Sequence, residues 1–384
     1  METAEVQNER LKGHMLSLRD PAAWEHTLSL TRDSLHSYDT DSRLNGITSV
    51  ILIGHGTSYA TALNAEYFFS HFAKIKARAI TAYQFRQYSE EYLHAPEKTL
   101  VIGISSGGNT VSVVEGLKIA KTAGCLTMCL SHEREHNLAG VADFRINADT
   151  RIEDRAKVMA YSVSHQFLLA AAFLTALNLG KRRGALSDEA FSYWCTQFDQ
   201  MRSKLSCLPE LWDEMKSLAA DFRGRGYHNL VVLGTGPNFG TMKEGALKIC
   251  EFSWLFCAGE ELEDFAHGRF RELNGSIPLL VISPCEKTYA KTMDILAGCA
   301  LSQTPAVIFT SKSTPAMDKL SSRVVLMPEL EEPMTPFLYV FAMWFFGFHI
   351  RSMENEIVGE KRFGLYASDI DFPVHFDASG NRLA

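Results

Sequence analysis

Short apolar runs that end in turns rich in glycine and hydroxyl residues punctuate the chain. Ser49–Ile53 runs into Gly54-His55-Gly56, Thr99–Ile104 into Ser105-Ser106-Gly107-Gly108, and Leu126–Leu130 forms a third run. Amphipathic stretches of helical length, Ser58–Phe72 and Thr110–Ala123, lie between them. Strand, turn and helix in repetition predict an α/β fold with a parallel sheet flanked by helices. The pattern then returns. Asn229–Leu233 leads into Gly234-Thr235-Gly236, Pro278–Ile282 into Ser283-Pro284, and Pro305–Phe309 into Thr310-Ser311, with Arg323–Met327 as a further strand. Gly54 and Gly234 are 180 positions apart and Ser105 and Ser283 are 178 apart. That near-constant offset predicts an internal duplication.

The expected layout is a helical segment (1–45), a first α/β unit (46–185), a helical linker (186–224), a second unit (225–350) and a polar tail (351–384). Asp20-Pro21 opens a helix in the first segment. Ile152–Leu179 and Leu186–Phe222 read as helical, and Phe363-Gly364 and Phe372-Pro373 are turn signals in the tail. Phe337–Ile350 is shorter than a membrane span and carries His349, so it reads as a buried helix.

Composition narrows the function classes. A chain of 384 residues, 46% hydrophobic and 22% charged, suits two globular domains. A net charge of −7 argues against a nucleic-acid partner but leaves room for a locally held anion. The start of the chain has no basic patch followed by an apolar run, so no signal peptide is expected. The 8 cysteines form no CxxC pair, which fits reduced thiols in a cytoplasmic protein. The 13 histidines show no HExxH or HxH cluster, so no metal is expected. Neither glycine turn is a dinucleotide fingerprint and no GxxxxGK[ST] occurs, so no cofactor is predicted.

Open parallel sheets bind ligands at the carboxyl ends of their strands. There, Ser105-Ser106-Gly107-Gly108-Asn109-Thr110 follows one strand and Gly54-His55-Gly56-Thr57-Ser58 follows another. Glycines let a ligand approach the backbone, and hydroxyls with N–H groups at a helix start suit an anion. The same residue types also make an ordinary helix N-cap. In the second half, Lys248 and Glu251 share a helix face, with Glu244 one turn before Lys248. On a surface helix these would be a salt-bridge pair. Here Ala246, Leu247, Ile249, Phe252, Trp254 and Leu255 make the helix mostly apolar, where charges are costly unless paired or used. His267-Gly268 follows the acidic loop Glu260–Asp264.

The order of these motifs (G-T-S turn, S-x-x-G-N-T loop, A-L-K-x-x-E helix, H-G) resembles the SIS (sugar isomerase) family over about residues 45–365. It is similar to the isomerase half of glucosamine-6-phosphate synthases. Glu251-Phe252-Ser253-Trp254 and Asp264-Phe265-Ala266-His267-Gly268 are closer to the fructosamine-6-phosphate deglycases. The resemblance implies two tandem SIS units, each doubly wound and flavodoxin-like. It implies that Ser58, Ser105, Ser106 and Thr110, with Gly56, Thr57, Gly108 and Asn109 of the same turns, hold a sugar phosphate. It assigns Glu251 to proton transfer between carbon 1 and carbon 2, with Lys248 beside it, and His267 to ring opening or proton relay. Such a histidine often reaches a neighbouring subunit's site, so a homodimer or larger homo-oligomer is expected.

The chain departs from the family at three places. Gly107 stands where a hydroxyl or lysine is usual, Arg269 replaces the proline after His267-Gly268, and Leu365-Tyr366-Ala367-Ser368 carries no lysine. Arg269 is a candidate contact for an anionic substrate group. Met1-Glu2 supplies no N-terminal cysteine, so no glutaminase activity is expected. The expected activity is a phosphosugar deglycase or aldose–ketose isomerase acting on a sugar phosphate or sugar-amine phosphate. The alternatives are an amino-sugar-phosphate isomerase/deaminase and a sensor that binds without turnover. No membrane and no nucleic acid are expected as partners.

Overall fold

The structure is a computed structural model, and it describes residues 3–132, 136–150, 161–284 and 286–359. The expected start of the helix at Ile152, Cys285 and the tail turns at Phe363 and Phe372 lie outside the described residues. The chain divides into two compact units. One contains Pro21–Thr196; the other contains Gln197–Glu360 together with Met1–Asp20.

The first unit carries β1 (Ser49–Gly54), β2 (Lys76–Thr81), β3 (Thr99–Ile104), β4 (Leu126–Ser131) and β5 (Phe144–Asn147), all parallel, in the order β2-β1-β3-β4-β5. The second carries β6 (Asn229–Gly234), β7 (Phe256–Glu261), β8 (Leu279–Ile282), β9 (Ala306–Thr310) and β10 (Arg323–Leu326), in the order β10-β9-β8-β6-β7. Read from its first strand, the second sheet repeats the order of the first, so the duplication extends to topology. Both follow the flavodoxin-like winding, with the switch point between β1 and β3 in one sheet and between β6 and β8 in the other.

The apolar runs of the sequence became central strands, as continuous runs buried on both faces must. β3, for example, is buried at every position. Three strands were not anticipated. β2 and β7 lie at sheet edges, and β2 alternates exposed Lys76 with more buried neighbours instead of forming an apolar run. β5 has only four residues, of which Phe144 and Ile146 are buried.

In the first unit, the helices Thr57–Phe72 and Tyr161–Arg182 cover one face of the sheet region through Phe68, Phe72 and Phe173. The opposite core joins Ile51, Ile53, Val101, Val113 and Leu117. Among the described residues, Val163–Arg182 is the one helix long and apolar enough to cross a membrane, but 94% of it is buried inside the protein, as in a core helix. The second unit centres on Pro336–Ser352, buried from Pro336 through Arg351 as its sequence implies. It crosses the helix Phe239–Ser253 at two glycines. A Cβ on Gly245 would stand 2.5 Å from Met343 Cγ and 2.9 Å from its Cβ; one on Gly347 would stand 3.1 Å from Ile249 Cα. The crossing is therefore close enough to exclude even a methyl group.

Two predictions follow from this core. Gly245→Ala gains about 1 kcal/mol of helix propensity but forces Met343 aside, and such overpacking costs about 1–3 kcal/mol. The melting temperature is expected to fall, and Gly245→Ala combined with Met343→Ala is expected to recover part of the loss relative to Met343→Ala alone. The second concerns His349, whose ring packs 4.3 Å from that of Trp212 and whose pKa burial pushes down to about 4. The unfolded histidine takes a proton near its ordinary value of about 6.5, the folded one only near 4. Stability therefore falls as pH drops from the first value to the second, and this contribution is absent above the first value. Urea unfolding of His349→Phe at neutral pH and near pH 5 is expected to show a shallower acid loss than the wild type.

Candidate active site

In the first unit, the turn Gly54–Ser58 follows β1 and the loop Ser105–Thr110 follows β3, so both stand at the carboxyl edge beside the switch point. Gly56 takes a positive φ of 52° as the chain reverses into the helix Thr57–Phe72, where Thr57 and Ser58 are half-buried. His55 Nε2 accepts the Tyr83 N–H at 3.1 Å, and burial pushes this histidine's pKa down.

The loop after β3 is held by its backbone. The Ser105 N–H donates to Leu130 O at 3.1 Å, and Ser106 O and Gly108 O accept from His132 N at 3.0 Å and Leu138 N at 2.9 Å. Ser105 is 4% exposed, while Ser106, Asn109 and Thr110 are half-buried. Thr110 is the N-cap of the helix Val111–Thr122, yet its side chain makes no capping bond; its hydroxyl lies 3.1 Å from Ser105 Oγ. An ordinary cap would point the hydroxyl at the helix N–H groups. Here the two hydroxyls are turned towards each other across the loop, an arrangement suited to an oxyanion. Asn109 Oδ1 accepts from the Asn137 N–H and side chain at 3.1 and 3.0 Å, so it fastens the loop to the next segment.

Sequence reasoning missed His136. Its ring lies over Gly108: a Cβ there would fall 2.0 Å from Nδ1. Nδ1 accepts the Ala139 N–H at 3.0 Å, which puts the ring proton of the neutral form on Nε2, and Nε2 lies 2.6 Å from Ser131 Oγ. His136 thereby ties the end of β4 to the loop after β3. No motif surrounds it, so its role was not legible.

The second unit repeats the hydroxyl pair without its openness. Ser283 Oγ lies 2.8 Å from Thr288 Oγ1 and accepts from Thr292 Oγ1 at 2.8 Å, and all three residues are buried. Its distinctive chemistry is on the helix Phe239–Ser253. Lys248 Nζ lies 2.9 Å from Glu251 Oε2 and 3.4 Å from Glu244 Oε1. Lys248 and Glu244 are both 0% exposed, while the Glu251 side chain keeps 33% exposure. Burial pushes the Lys248 pKa down, but the two carboxylates outweigh it and hold the ammonium above its ordinary value. The sequence placed Lys248 and Glu251 on one face of an apolar helix, and in the structure the two side chains lie against each other.

His267 and Arg269 stand elsewhere. His267 Nε2 lies 2.9 Å from Glu263 Oε1, with its side chain 72% exposed, and Glu263 also holds Lys291 at 2.8 Å. Arg269 pairs with Glu260 and, at 3.4 Å, with Glu272. The structure thus joins Lys248 to Glu251, and gives His267 and Arg269 carboxylate partners of their own. Among the described residues no group of histidine, cysteine, aspartate and glutamate could hold a metal. Burial pushes the Cys129 and Cys299 thiols up to about 12, so they are inert thiols.

Fold and loops together define a tandem α/β protein of flavodoxin-like winding with an anion-suited turn at its first switch point. Residues 44–176, within the first unit, match the SIS domain family, and the second unit repeats the architecture of the first. The glutamine–fructose-6-phosphate aminotransferase (isomerizing) of Bartonella quintana is 25% identical over 363 residues, covering 92% of this chain and 58% of its own. The chain thus spans little more than half the length of such relatives. The C-terminal domain of the glucosamine-fructose-6-phosphate aminotransferase from Francisella tularensis superposes with a TM-score of 0.77 at 19% identity, over 89% of this chain and 97% of that one. The tagatose-6-phosphate ketose/aldose isomerase of Escherichia coli gives 0.70 at 16% identity, over 90% and 94%.

Gly108 has a φ of +67° and sits under His136, so Gly108→Ala is strained and displaces the ring. Calorimetry with inorganic phosphate or fructose 6-phosphate is expected to show affinity about tenfold weaker or worse, with the protein still folded. Unchanged affinity would detach this loop from anion binding.

Proposed function

We propose that the protein acts on a phosphorylated sugar by moving a proton between carbon 1 and carbon 2, as a fructosamine-6-phosphate deglycase or an aldose–ketose isomerase. One observation carries the reading: Glu251, on a largely buried helix, is 2.9 Å from an ammonium and still 33% exposed. A carboxylate placed so is oriented and reachable, which a general base requires. The hydroxyls of Ser105 and Thr110 support a phosphate contact, and the names of the relatives, which act on fructose 6-phosphate and tagatose 6-phosphate, support the substrate class.

In the proposed reaction, Glu251 takes the proton from one carbon, leaving an enediolate; the hydroxyl proton passes between O1 and O2, and Glu251 returns its proton to the other carbon. With an amine adduct the same abstraction gives, once the oxygen is protonated, an enaminol; the proton returned to the other carbon leaves an imine, and water adds to it and releases the amine with formation of the aldehyde. His267 is proposed to assist ring opening and Arg269 to contact an anionic group, both after exchanging their present carboxylate partners. The homo-oligomer and the cytoplasmic location remain part of this proposal.

The test is deuterium exchange. Wild-type protein in heavy water is expected to wash label into carbon 1 or carbon 2 of fructose 6-phosphate, glucose 6-phosphate or a fructosamine 6-phosphate. Glu251→Gln keeps the shape and cannot accept a proton, so turnover is expected to fall by about 10²–10⁴-fold with folding and ligand binding kept. A folded Glu251→Gln protein with near-normal turnover overturns the mechanism. A wild type that is stabilised by these ligands yet exchanges nothing is a sensor.

A further inference from the structure

In the second unit the helices Leu208–Gly224 and Pro336–Ser352 pack on each other. Between them and the strands lies an open cleft of about 320 Å³. Leu218, Leu280 and Val307 give it an aliphatic wall, and Phe222, Tyr227 and Phe346 an aromatic one. The Phe222 ring centroid is 5.3 Å from those of both Tyr227 and Phe346. A closed apolar cavity of about 150 Å³ takes a benzene ring. This cleft offers roughly twice that space, within the range of small-molecule sites. β8, β9 and β10 meet it at Leu280, Val307 and Arg323, at or next to their first residues. It therefore lies on the amino edge of the sheet, opposite the edge that carries Ser283. None of its residues has a part in the phosphosugar reaction proposed above.

The polar groups of the cleft are mostly donors. Arg225 and Arg323 stand there with the hydroxyls of Tyr227 and Ser322, against one carboxylate, Asp221. Arg225 donates from Nε to Asp221 Oδ1 at 2.9 Å, which offsets that single negative charge. Arg323 donates from Nε to Glu214 Oε1 at 2.8 Å and from Nη2 to Ser217 Oγ at 3.2 Å. Neither Glu214 nor Ser217 lines the cleft, so they fix the guanidinium while Nη1 keeps two hydrogens to donate. The lining thus combines an apolar body, three aromatic rings and a net positive charge. We propose that this cleft is a second ligand site, which takes a small aromatic carboxylate. The ring of the ligand lies among Phe222, Tyr227 and Phe346, and its carboxylate meets Arg323, with Arg225 beside it. A neutral ring forgoes the charge-assisted hydrogen bonds, and a cationic one faces two guanidiniums. The inference holds whether or not Glu251 is a catalytic base.

The test is calorimetry on the full chain with three probes that share one ring system: indole-3-acetate, neutral indole and cationic tryptamine. Indole-3-acetate is expected to bind saturably, one per chain, with a dissociation constant of about 1 mM or tighter. Indole and tryptamine are expected to bind about tenfold more weakly or worse. Arg323→Gln is expected to weaken indole-3-acetate about tenfold or more, and Arg225→Gln, at an exposed side chain, about threefold. Asp221→Asn removes the one carboxylate and is expected to strengthen binding about threefold, a sign that a merely sticky surface would not give. Equal affinity for indole and indole-3-acetate overturns the inference, as does an affinity unchanged in both arginine variants. Displacement of the probe by fructose 6-phosphate would place it in the phosphosugar site and also overturns it. So does a dimer of the wild type that indole-3-acetate leaves intact and Arg323→Gln dissociates in sedimentation, since a second copy would then fill the cleft. If Arg323→Gln does not fold, Arg323→Lys keeps the charge and loses the fork. Weaker binding by that variant supports the site, and wild-type affinity in both it and Arg225→Gln overturns it.

Discussion

A parallel sheet cannot be built from tight hairpins. Each strand must be followed by a crossover that returns the chain to the starting edge, and in this protein the crossovers are helices. Every strand-to-helix turn therefore falls on the carboxyl edge of its sheet, and the winding order leaves a gap where successive crossovers part to opposite sides. The position of Gly54–Ser58 and Ser105–Thr110 follows from this constraint more than from any contact between them. The hydroxyls need only occupy turns that the topology has already gathered.

A second constraint governs the helix Phe239–Ser253. It must be apolar enough to lie under Pro336–Ser352 and polar enough to carry three charges. It meets both demands by dividing its faces: Gly245 and Ile249 face the neighbouring helix, and Glu244, Lys248 and Glu251 lie together along another. The close crossing also fixes the backbone on which the charges stand. A helix free to slide could not hold an ammonium within ion-pair distance of two carboxylates.

Much of this was legible in the sequence, for identifiable reasons. Central strands are buried on both faces, so they announce themselves as apolar runs, and the duplication offset followed from them. The edge strands β2 and β7 carry Lys76, Arg78, Glu260 and Glu261 and have no such signature. Lys248 and Glu251 were legible because charge on an apolar helix is conspicuous. The depth of Glu244 was not, since spacing alone cannot distinguish a sealed carboxylate from an exposed one. His136 was illegible because its partners, Gly108 and Ser131, meet it only through the folded arrangement of three loops. Arg269, expected to reach for a substrate, holds Glu260 and Glu272, which a string of residues does not reveal.

The paired hydroxyl loops record how the halves diverged. Ser283 and Thr288 correspond to Ser105 and Thr110 at the same offset, and Thr292 corresponds to Val114, a buried apolar residue. In the second half the extra hydroxyl turns the loop's hydrogen bonds inward and seals them. In the first, Val114 offers Ser105 no such partner, and the pair keeps capacity for something outside the protein. Under the proposed function, a difference of one side chain makes one copy a recognition loop and the other part of the scaffold. Selection acting on the two copies would then read different traits, ligand preference in one and folding in the other, so their rates and patterns of sequence drift should differ even though their backbones trace the same path.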